Sequence, residues 1–287
     1  MIYMIMATNR VEINNIMTQG GSLAASACSV QTDQIGKDAM EREDYVYMYQ
    51  DRIPIPSLTM IDDILTISEC GLQSIKYNAF VNSKIEMKRL TFNSEKCKKI
   101  HVGKPDKYCP TLYAHDKEMQ NTSHEKYLGD IISEDGNSNK NIKNKAAVGI
   151  SASSKVMNIL RNVFVGHHYF TVAVFLRQSI LISSMLLNME ASLKISIDNG
   201  KVLETIDKNF LRRILGAPMS TPIPSLYLET GVLPVSYIIK GRHVLYLHYL
   251  LNQPKNSLLS KMIYDQIENP IKNDWFSEAQ NNLIELG

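Results

Sequence analysis

The chain has 287 residues, of which 44% are hydrophobic, and this suits a folded protein of up to two modest domains. Its formal net charge of +2 excludes a globally basic nucleic-acid-binding protein, so any such surface has to be local. Four widely spaced cysteines, without a Cys-x-x-Cys pair, argue against a disulfide framework or a zinc ribbon and indicate an intracellular protein, cytoplasmic or nuclear.

No segment has the pattern of a targeting or membrane-spanning sequence. The apolar opening, residues 1–7, lacks a basic leader and a cleavage site, which argues against a signal peptide. The longest strongly apolar stretch, residues 169–189, is interrupted by Arg177 and Gln178, so it predicts a buried helix. We therefore expect no membrane partner.

The first forty residues predict strands and then a helix. Residues 2–16 contain β-forming residues around a central Thr8-Asn9-Arg10, which predicts two short strands and a turn. After a loop at residues 18–21, apolar residues at helical spacing predict a helix from Ser22 to about Arg42, with Ser22 as its N-cap.

Two adjacent acids stand out in the next segment. Residues 57–69 are apolar on both sides of Asp62-Asp63, which predicts two strands meeting at an acidic turn. Packed like charges cost energy unless a cation neutralises them, and carboxylate oxygens bind hard cations. From these residues alone, a structural turn and a metal site both remain open.

A mixed pattern continues to about residue 136 and a helical pattern follows it. A helix is predicted from Gly71 to Leu90, with an apolar side made of Leu72, Ile75, Ala79, Met87 and Leu90. Short strands are predicted around Phe92 and over residues 97–102, 111–114 and 127–132. Helices are predicted over residues 137–162, 168–190, 199–215, 235–252 and 257–286, with Thr221-Pro222-Ile223-Pro224 among the breaks.

Several short motifs occur in one order along the chain. They are Gln19-Gly20 before a helix, the Asp62-Asp63 hairpin, Asn93-Ser94-Glu95-Lys96 after a helix, and His124-Glu125-Lys126-Tyr127-Leu128-Gly129 before a basic helix. This order resembles the palm of a reverse transcriptase, from its motif B through C, D and E, as in non-LTR (LINE-type) retrotransposons. Phe210-Leu211-Arg212-Arg213-Ile214-Leu215-Gly216 and Glu229-Thr230-Gly231-Val232-Leu233-Pro234 resemble the helical region after the thumb of such proteins.

The resemblance implies an RNA-directed DNA polymerase, a nucleotidyltransferase that uses two Mg²⁺ ions to stabilise the attacking and leaving oxygens. Its partners would be an RNA template, a DNA primer and deoxynucleotides, and no stable protein partner is implied. Asp62 would be a magnesium ligand, with Asp63 beside it in the same metal-binding turn. Lys96 would protonate or pair with the pyrophosphate leaving group, unless it is a solvated lysine.

Other positions would contact nucleic acid. The resemblance puts Gln19 and Gly20 under the template and the incoming nucleotide, where a glycine lets the backbone come close. Tyr127, Leu128 and Gly129 would form a primer-gripping hairpin, although the Tyr-Leu pair also suits a core.

The sequence departs from the family at two places. Met60 stands where an aromatic residue usually precedes the first aspartate by two positions. The family's remaining metal aspartate lies on a strand well upstream of the Gln-Gly loop, and the eighteen residues before Gln19 contain only one acid, Glu12. We therefore expect the fingers and the first part of the palm to be missing, most activity to be lost, and an unpaired apolar edge beside the hairpin.

Two segments are locally basic. Between Lys84 and Lys107 there are eight basic residues against three acids. From Asn137 to Arg161 there are no acids, and the bases are Lys140, Lys143, Lys145, Lys155 and Arg161. We expect Lys140, Lys143 and Lys145 to bind the template backbone, with a solvated helix face as the alternative.

The resulting prediction is an α+β fold. A partial polymerase palm of antiparallel strands with helices (residues 1–136) would precede thumb helices (137–195) and a helical post-thumb region (196–287). The predicted function is that of a reverse transcriptase fragment that is inactive alone. The alternatives are a non-catalytic nucleic-acid-binding remnant, a decayed open reading frame, or an unrelated two-metal nuclease that uses the Asp-Asp hairpin.

Overall fold

The computed structural model has a mixed α/β architecture. It describes residues 2–8, 24–42, 46–50, 52–55, 57–61, 63–88, 90–103, 110–163, 166, 168–192, 195–271 and 274–287. Two compact units divide the chain: Met1–Tyr127 with Ile132–Asn137, and Leu128–Ile131 with Ser138–Gly287. The division lies close to residue 136, where the sequence pattern changes from mixed to helical.

The first unit contains a five-stranded sheet with helices. Its elements are β1 (Ile2–Thr8), α1 (Ala24–Met40), β2 (Tyr47–Tyr49), β3 (Ile53–Ile55), β4 (Leu58–Met60), β5 (Asp63–Ser68), α2 (Gly71–Met87), β6 (Lys98–Val102), β7 (Tyr113–Ala114), β8 (Lys117–Glu118), β9 (Gln120–Asn121) and β10 (His124–Tyr127). The strand β11 (Asp130–Ser133) belongs to the second unit up to Ile131 and to the first unit from Ile132. The sheet order is β4-β5-β1-β6-β9, and β2-β3, β7-β8 and β10-β11 form two-stranded sheets. Apart from the inserted β2-β3 pair, β1 to β6 follow a split β-α-β connectivity.

The strand β5 is buried on both faces because its side chains alternate between two cores. Ile64 packs with residues of α2, including Tyr77, whereas Leu65 packs against Ile100 on the opposite face. The predicted helix over residues 71–90 is confirmed, but only Ile75 and Leu90 of its predicted apolar side contribute to the core. Leu72, Ala79 and Met87 are exposed, and the buried side contains Tyr77, Phe80, Val81 and Ile85. The aromatic rings of Tyr77 and Phe80 bury more apolar surface in the core than the side chains of Leu72, Ala79 and Met87 would.

The expectation of an unpaired edge beside the hairpin is wrong. Strand β1 pairs with β5 from Tyr3↔Ser68 to Thr8↔Asp63, and on its other side it pairs with β6. Its apolar sequence of β-forming residues supplies the missing ladder partner. The second strand predicted within residues 2–16 lies outside the described residues, as does the predicted N-cap Ser22.

The second unit is helical. Its elements are α3 (Asn139–Val163), α4 (Tyr169–Leu176), a π-helical segment (Arg177–Ile182), α5 (Ser183–Met185), a 3-10 turn (Met189–Ala191), α6 (Ile197–Leu215), α7 (Ile223–Thr230), α8 (Val235–Leu251), α9 (Leu258–Glu268) and α10 (Trp275–Leu286). Helix α7 was predicted as a break, but Pro224 lies in its first turn, where the missing N–H costs no helical hydrogen bond. The helix predicted over residues 257–286 is two helices. Among the described helices, none is long and apolar enough to cross a bilayer.

A buried ion pair joins the π-helical segment to α6. Arg177 donates from Nε and Nη2 to the two carboxylate oxygens of Asp207, at 2.7 Å each, and Nη2 also donates to Leu233 O at 3.1 Å. Both side chains are almost fully buried. Burial raises the pKa of Asp207, and the guanidinium opposes that rise. Each charge therefore depends on the other for compensation.

Removing one partner should destabilise the second unit strongly. We expect Asp207→Leu to lower the free energy of unfolding by about 3–5 kcal/mol, because it leaves the Arg177 charge buried without a counterion. The double variant Arg177→Met/Asp207→Leu should regain most of that loss. Urea denaturation followed by circular dichroism measures both, and a loss below about 1 kcal/mol in the single variant would contradict the assignment.

Candidate metal and nucleic-acid site

The predicted acidic hairpin is formed by β4 and β5. Met60 pairs with Asp63, Ile61 is a turn residue, and Asp63 is the first residue of β5. The hairpin prediction is confirmed, whereas Asp63 belongs to the strand and not to the tip. Its side chain is half-buried on the same face of the sheet as Leu65, the face opposite Ile64 and α2. Asp62 lies outside the described residues.

The hairpin turn has an unusual backbone. Ile61 has φ of 59°, a left-handed conformation that costs a β-branched residue roughly 1–2 kcal/mol. The fully buried Thr32 of α1 donates from Oγ1 to Ile61 O at 3.0 Å, which ties the turn to the helix. Sequence reasoning missed Thr32, because a bond across 29 residues leaves no local signal.

Tyr127 lies close to Asp63. Its hydroxyl donates to Leu58 O on β4 at 3.2 Å, and its ring packs against the core that contains Leu65 and Ile100. Burial raises the pKa of Tyr127 to about 12, and the negative charge of Asp63 adds to this rise. The structure thus brings together two residues that the motif order singled out separately.

Lys96 is at the same end of the sheet as Asp63. It is exposed in a turn two residues before β6, and its N–H donates to Asn93 O at 3.0 Å. Because Met6 pairs with Lys98, the start of β6 lies beside the end of β1, where Thr8 pairs with Asp63. These three strand ends therefore lie at one end of the sheet.

The described residues fit a magnesium site only in part. Mg²⁺ prefers oxygen ligands and commonly binds through one or two carboxylates while keeping several waters. Asp63 offers one carboxylate, and within the described ranges no cluster of three or more His, Cys, Asp or Glu residues could hold a metal. β1 has no acidic residue, and Thr8 is the one opposite Asp63. Gln19 and Gly20 lie outside the described residues.

The turn between β10 and β11 belongs to the second unit and is held by side chains of that unit. Leu128 and Gly129 form the turn with φ of 48° and 94°, and Leu128 is 47% exposed. Asn188 Nδ2 donates to Leu128 O at 3.0 Å and to the Asp130 carboxylate at 2.8 Å. Asn141 Oδ1 accepts from Ile131 N–H at 3.1 Å. The polar backbone of this strained turn is thereby fixed in one geometry.

Lys145 does not belong to the exposed basic surface. It is 2% exposed, forms an ion pair with Asp130 at 2.8 Å and donates to Gly129 O at 3.2 Å. The sequence-based prediction that Lys145 binds the template backbone is therefore corrected, because its ammonium group is already inside a buried network. Lys140 is half-buried and Lys143 is exposed, in keeping with an accessible basic surface.

Much of the basic run from Lys84 to Lys107 is also engaged within the protein. Lys84 pairs with Asp38 at 2.5 Å, and this contact holds the pKa of Asp38 below its usual value. Lys99 is buried and donates to Pro110 O at 2.8 Å. On α3, by contrast, Lys143, Lys155 and Arg161 are exposed. Among these described residues, more of the exposed positive charge is therefore on α3.

Comparison with known proteins adds no family assignment. No protein-family model matches the chain. No curated protein matches it either.

Two lysines two positions apart should behave differently when neutralised. We expect Lys145→Gln to lower the free energy of unfolding by roughly 2–3 kcal/mol, because Asp130 loses its buried counterion. Lys143→Gln, at an exposed position, should change it by less than about 0.5 kcal/mol. Urea denaturation compares the two variants, and equal small effects would contradict a structural role for Lys145.

Proposed function

We propose that this chain is related to the palm and thumb of a non-LTR retrotransposon reverse transcriptase and binds primer-template with little or no polymerase activity of its own. One observation carries the proposal. A hairpin with Asp63 directly after its turn pairs antiparallel with β1, Tyr127 lies near the Asp63 carboxylate, and the start of β6 lies at the same end of the sheet. This is the setting that the motif order led us to expect for a metal-binding turn.

The neighbour of the hairpin supports the proposed lack of activity. In the family, a further metal aspartate is expected on a palm strand beside the hairpin. Strand β1 is the neighbour of β5 on this side of the hairpin, and its sequence Ile-Tyr-Met-Ile-Met-Ala-Thr has no carboxylate. A two-metal mechanism needs ligands that hold both ions around the transferred phosphate. A site with Asp62 and Asp63 alone should therefore bind one Mg²⁺ weakly and catalyse poorly.

Nucleic-acid binding is proposed for the helical unit. Residues 137–195 would correspond to the thumb and residues 196–287 to the post-thumb region, with residues 1–136 as the partial palm. Exposed Lys143, Lys155 and Arg161 lie on a helix without any acid, and such a surface attracts a phosphate backbone whatever its base sequence.

A non-catalytic nucleic-acid-binding remnant is the second candidate. The absence of an acid from β1, together with the acid-free α3, favours it. It differs from the first candidate in needing no metal.

Primer-template binding should be salt-dependent. For an RNA template annealed to a fluorescein-labelled DNA primer, we expect the logarithm of the association constant to fall linearly with the logarithm of the salt concentration. Lys143→Gln should reduce the slope by up to about 0.9, the value for one phosphate contact. Anisotropy titrations measure this. An association constant that does not change with salt concentration would refute binding through the phosphate backbone.

The same primer should not be extended when deoxynucleotides and Mg²⁺ are added. Extension at a rate abolished by Asp62→Ala would contradict the proposed inactivity. The variant Thr8→Asp introduces a carboxylate at the register position opposite Asp63. Extension in this variant and not in the natural sequence would strengthen the proposed ancestry.

Metal binding can be tested without any reaction. Titration with Mn²⁺, followed by loss of the free-ion signal in electron paramagnetic resonance, should give one weak site in the unmodified chain. Asp62→Asn and Asp63→Asn should each abolish it, because both remove an oxygen ligand. Asp116→Asn, at an exposed turn of the same unit, is the matched control. A stoichiometry unchanged in Asp63→Asn would exclude the hairpin as the metal site.

A further inference from the structure

Helices α3 and α6 of the second unit form an open groove of about 500 Å³. One wall is a row on α6 at four-residue spacing, and Ile150 of α3 and Val202 of α6 contribute apolar surface. The row consists of Lys201, Thr205, Asn209 and Arg213. Residues four apart on a helix lie along one ridge, so these side chains border the same groove.

The ridge has cations at both ends and the amide of Asn209 between them, whereas Thr205 already donates from Oγ1 to Lys201 O at 2.7 Å. Lys201 and Arg213 are separated by twelve residues, or about 18 Å along the helix. Within the described chain, the side chains of Asn209 and Arg213 have no hydrogen-bond or ion-pair partner. Lys201 pairs at 3.2 Å with Asp198, whose side chain is 92% exposed, and such a pair is weak. No acidic residue is among those that line the groove.

The groove also exposes large apolar side chains. Ile150 is 58% exposed and Val202 is 46% exposed, and both line the groove together with Lys201 and Arg213. A ligand that fits has to bring negative charge to the α6 ridge and apolar surface to these two residues. A strand of nucleic acid has phosphates on one side and sugars and bases on the other, and therefore meets both requirements.

The dimensions separate single strands from duplexes. The axes of packed helices are about 8–10 Å apart. A duplex is wider than its own major groove, which measures roughly 12 Å, and is therefore wider than the groove between α3 and α6. A duplex can touch the rim but cannot enter. Outside the groove, the exposed cations Lys143, Lys155 and Arg161 of acid-free α3 favour a polyanion longer than the groove over a short acidic peptide.

The geometry points to a binding track for single-stranded nucleic acid in the α3-α6 groove, with phosphates along the Lys201–Arg213 ridge and bases or sugars against Ile150 and Val202. This inference rests on the proposed function for the identity of its ligand. It adds to it a groove for an unpaired segment, bordered by the same helix α3 that carries the proposed primer-template surface.

The test uses the full chain and two fluorescein-labelled probes: a twelve-nucleotide oligothymidylate and the RNA-DNA primer-template duplex. We expect Lys201→Gln/Arg213→Gln to weaken oligothymidylate binding at least 10-fold and duplex binding less than 2-fold. The salt slope for the single strand should fall by about 1.4, the value for two lost phosphate contacts. The control Lys261→Gln removes an exposed lysine of α9 in the same unit and should change neither.

The outcomes distinguish this inference from the proposed function. If the unmodified chain binds the duplex but not oligothymidylate, or binds oligothymidylate equally well in the double variant, the groove is not a single-strand track, while the proposed function stands. If neither probe binds, both fail. Tighter binding of a labelled oligoglutamate peptide, lost in the same double variant, would make the groove a peptide site and overturn the inference. Unchanged urea midpoints verify that the variants are folded.

Discussion

The register of β5 between β4 and β1 determines where the candidate chemistry can lie. Ile64 and Leu65 are buried on opposite faces of the sheet. A shift of the strand register by one residue would move each of these side chains to the other face and disrupt the packing on both. This two-sided burial fixes Asp63 at the end of the strand and turns its carboxylate toward Tyr127 instead of α2. The strained Ile61 is retained because β4 and β5 are paired with each other in the sheet and because Thr32 donates to its carbonyl.

Lysines that look equivalent in the sequence have different physical roles. Lys143 and Lys145 lie two residues apart on α3, which turns one toward solvent and the other into the protein. Lys145 neutralises Asp130 and satisfies a turn carbonyl, and so contributes to the geometry of the hairpin tip. Within the basic run of α3, Lys145 therefore has a structural role, whereas Lys143 is available to bind a polyanion.

Helix α6 combines both kinds of role on its two sides. Its inner side includes Asp207, which compensates Arg177 in the interior, and the buried Phe210. Its outer side carries the ridge from Lys201 to Arg213. Because the buried ion pair and the hydrophobic side chains hold the helix in place, the outer ridge is presented by a rigid element, which suits extended recognition.

The sequence by itself determined the acidic hairpin and the helices α3, α6 and α8, because the periodicity that forms them is contained within neighbouring residues. It did not reveal the buried side of α2, where aromatic size outweighed the spacing of smaller apolar residues, or helix α7, whose proline suits a first turn. The pairing of β1 with β5, the bond from Thr32 to Ile61 and the burial of Lys145 were decided by the tertiary structure. Each joins residues distant in the chain, and such contacts form only after separate elements have packed together.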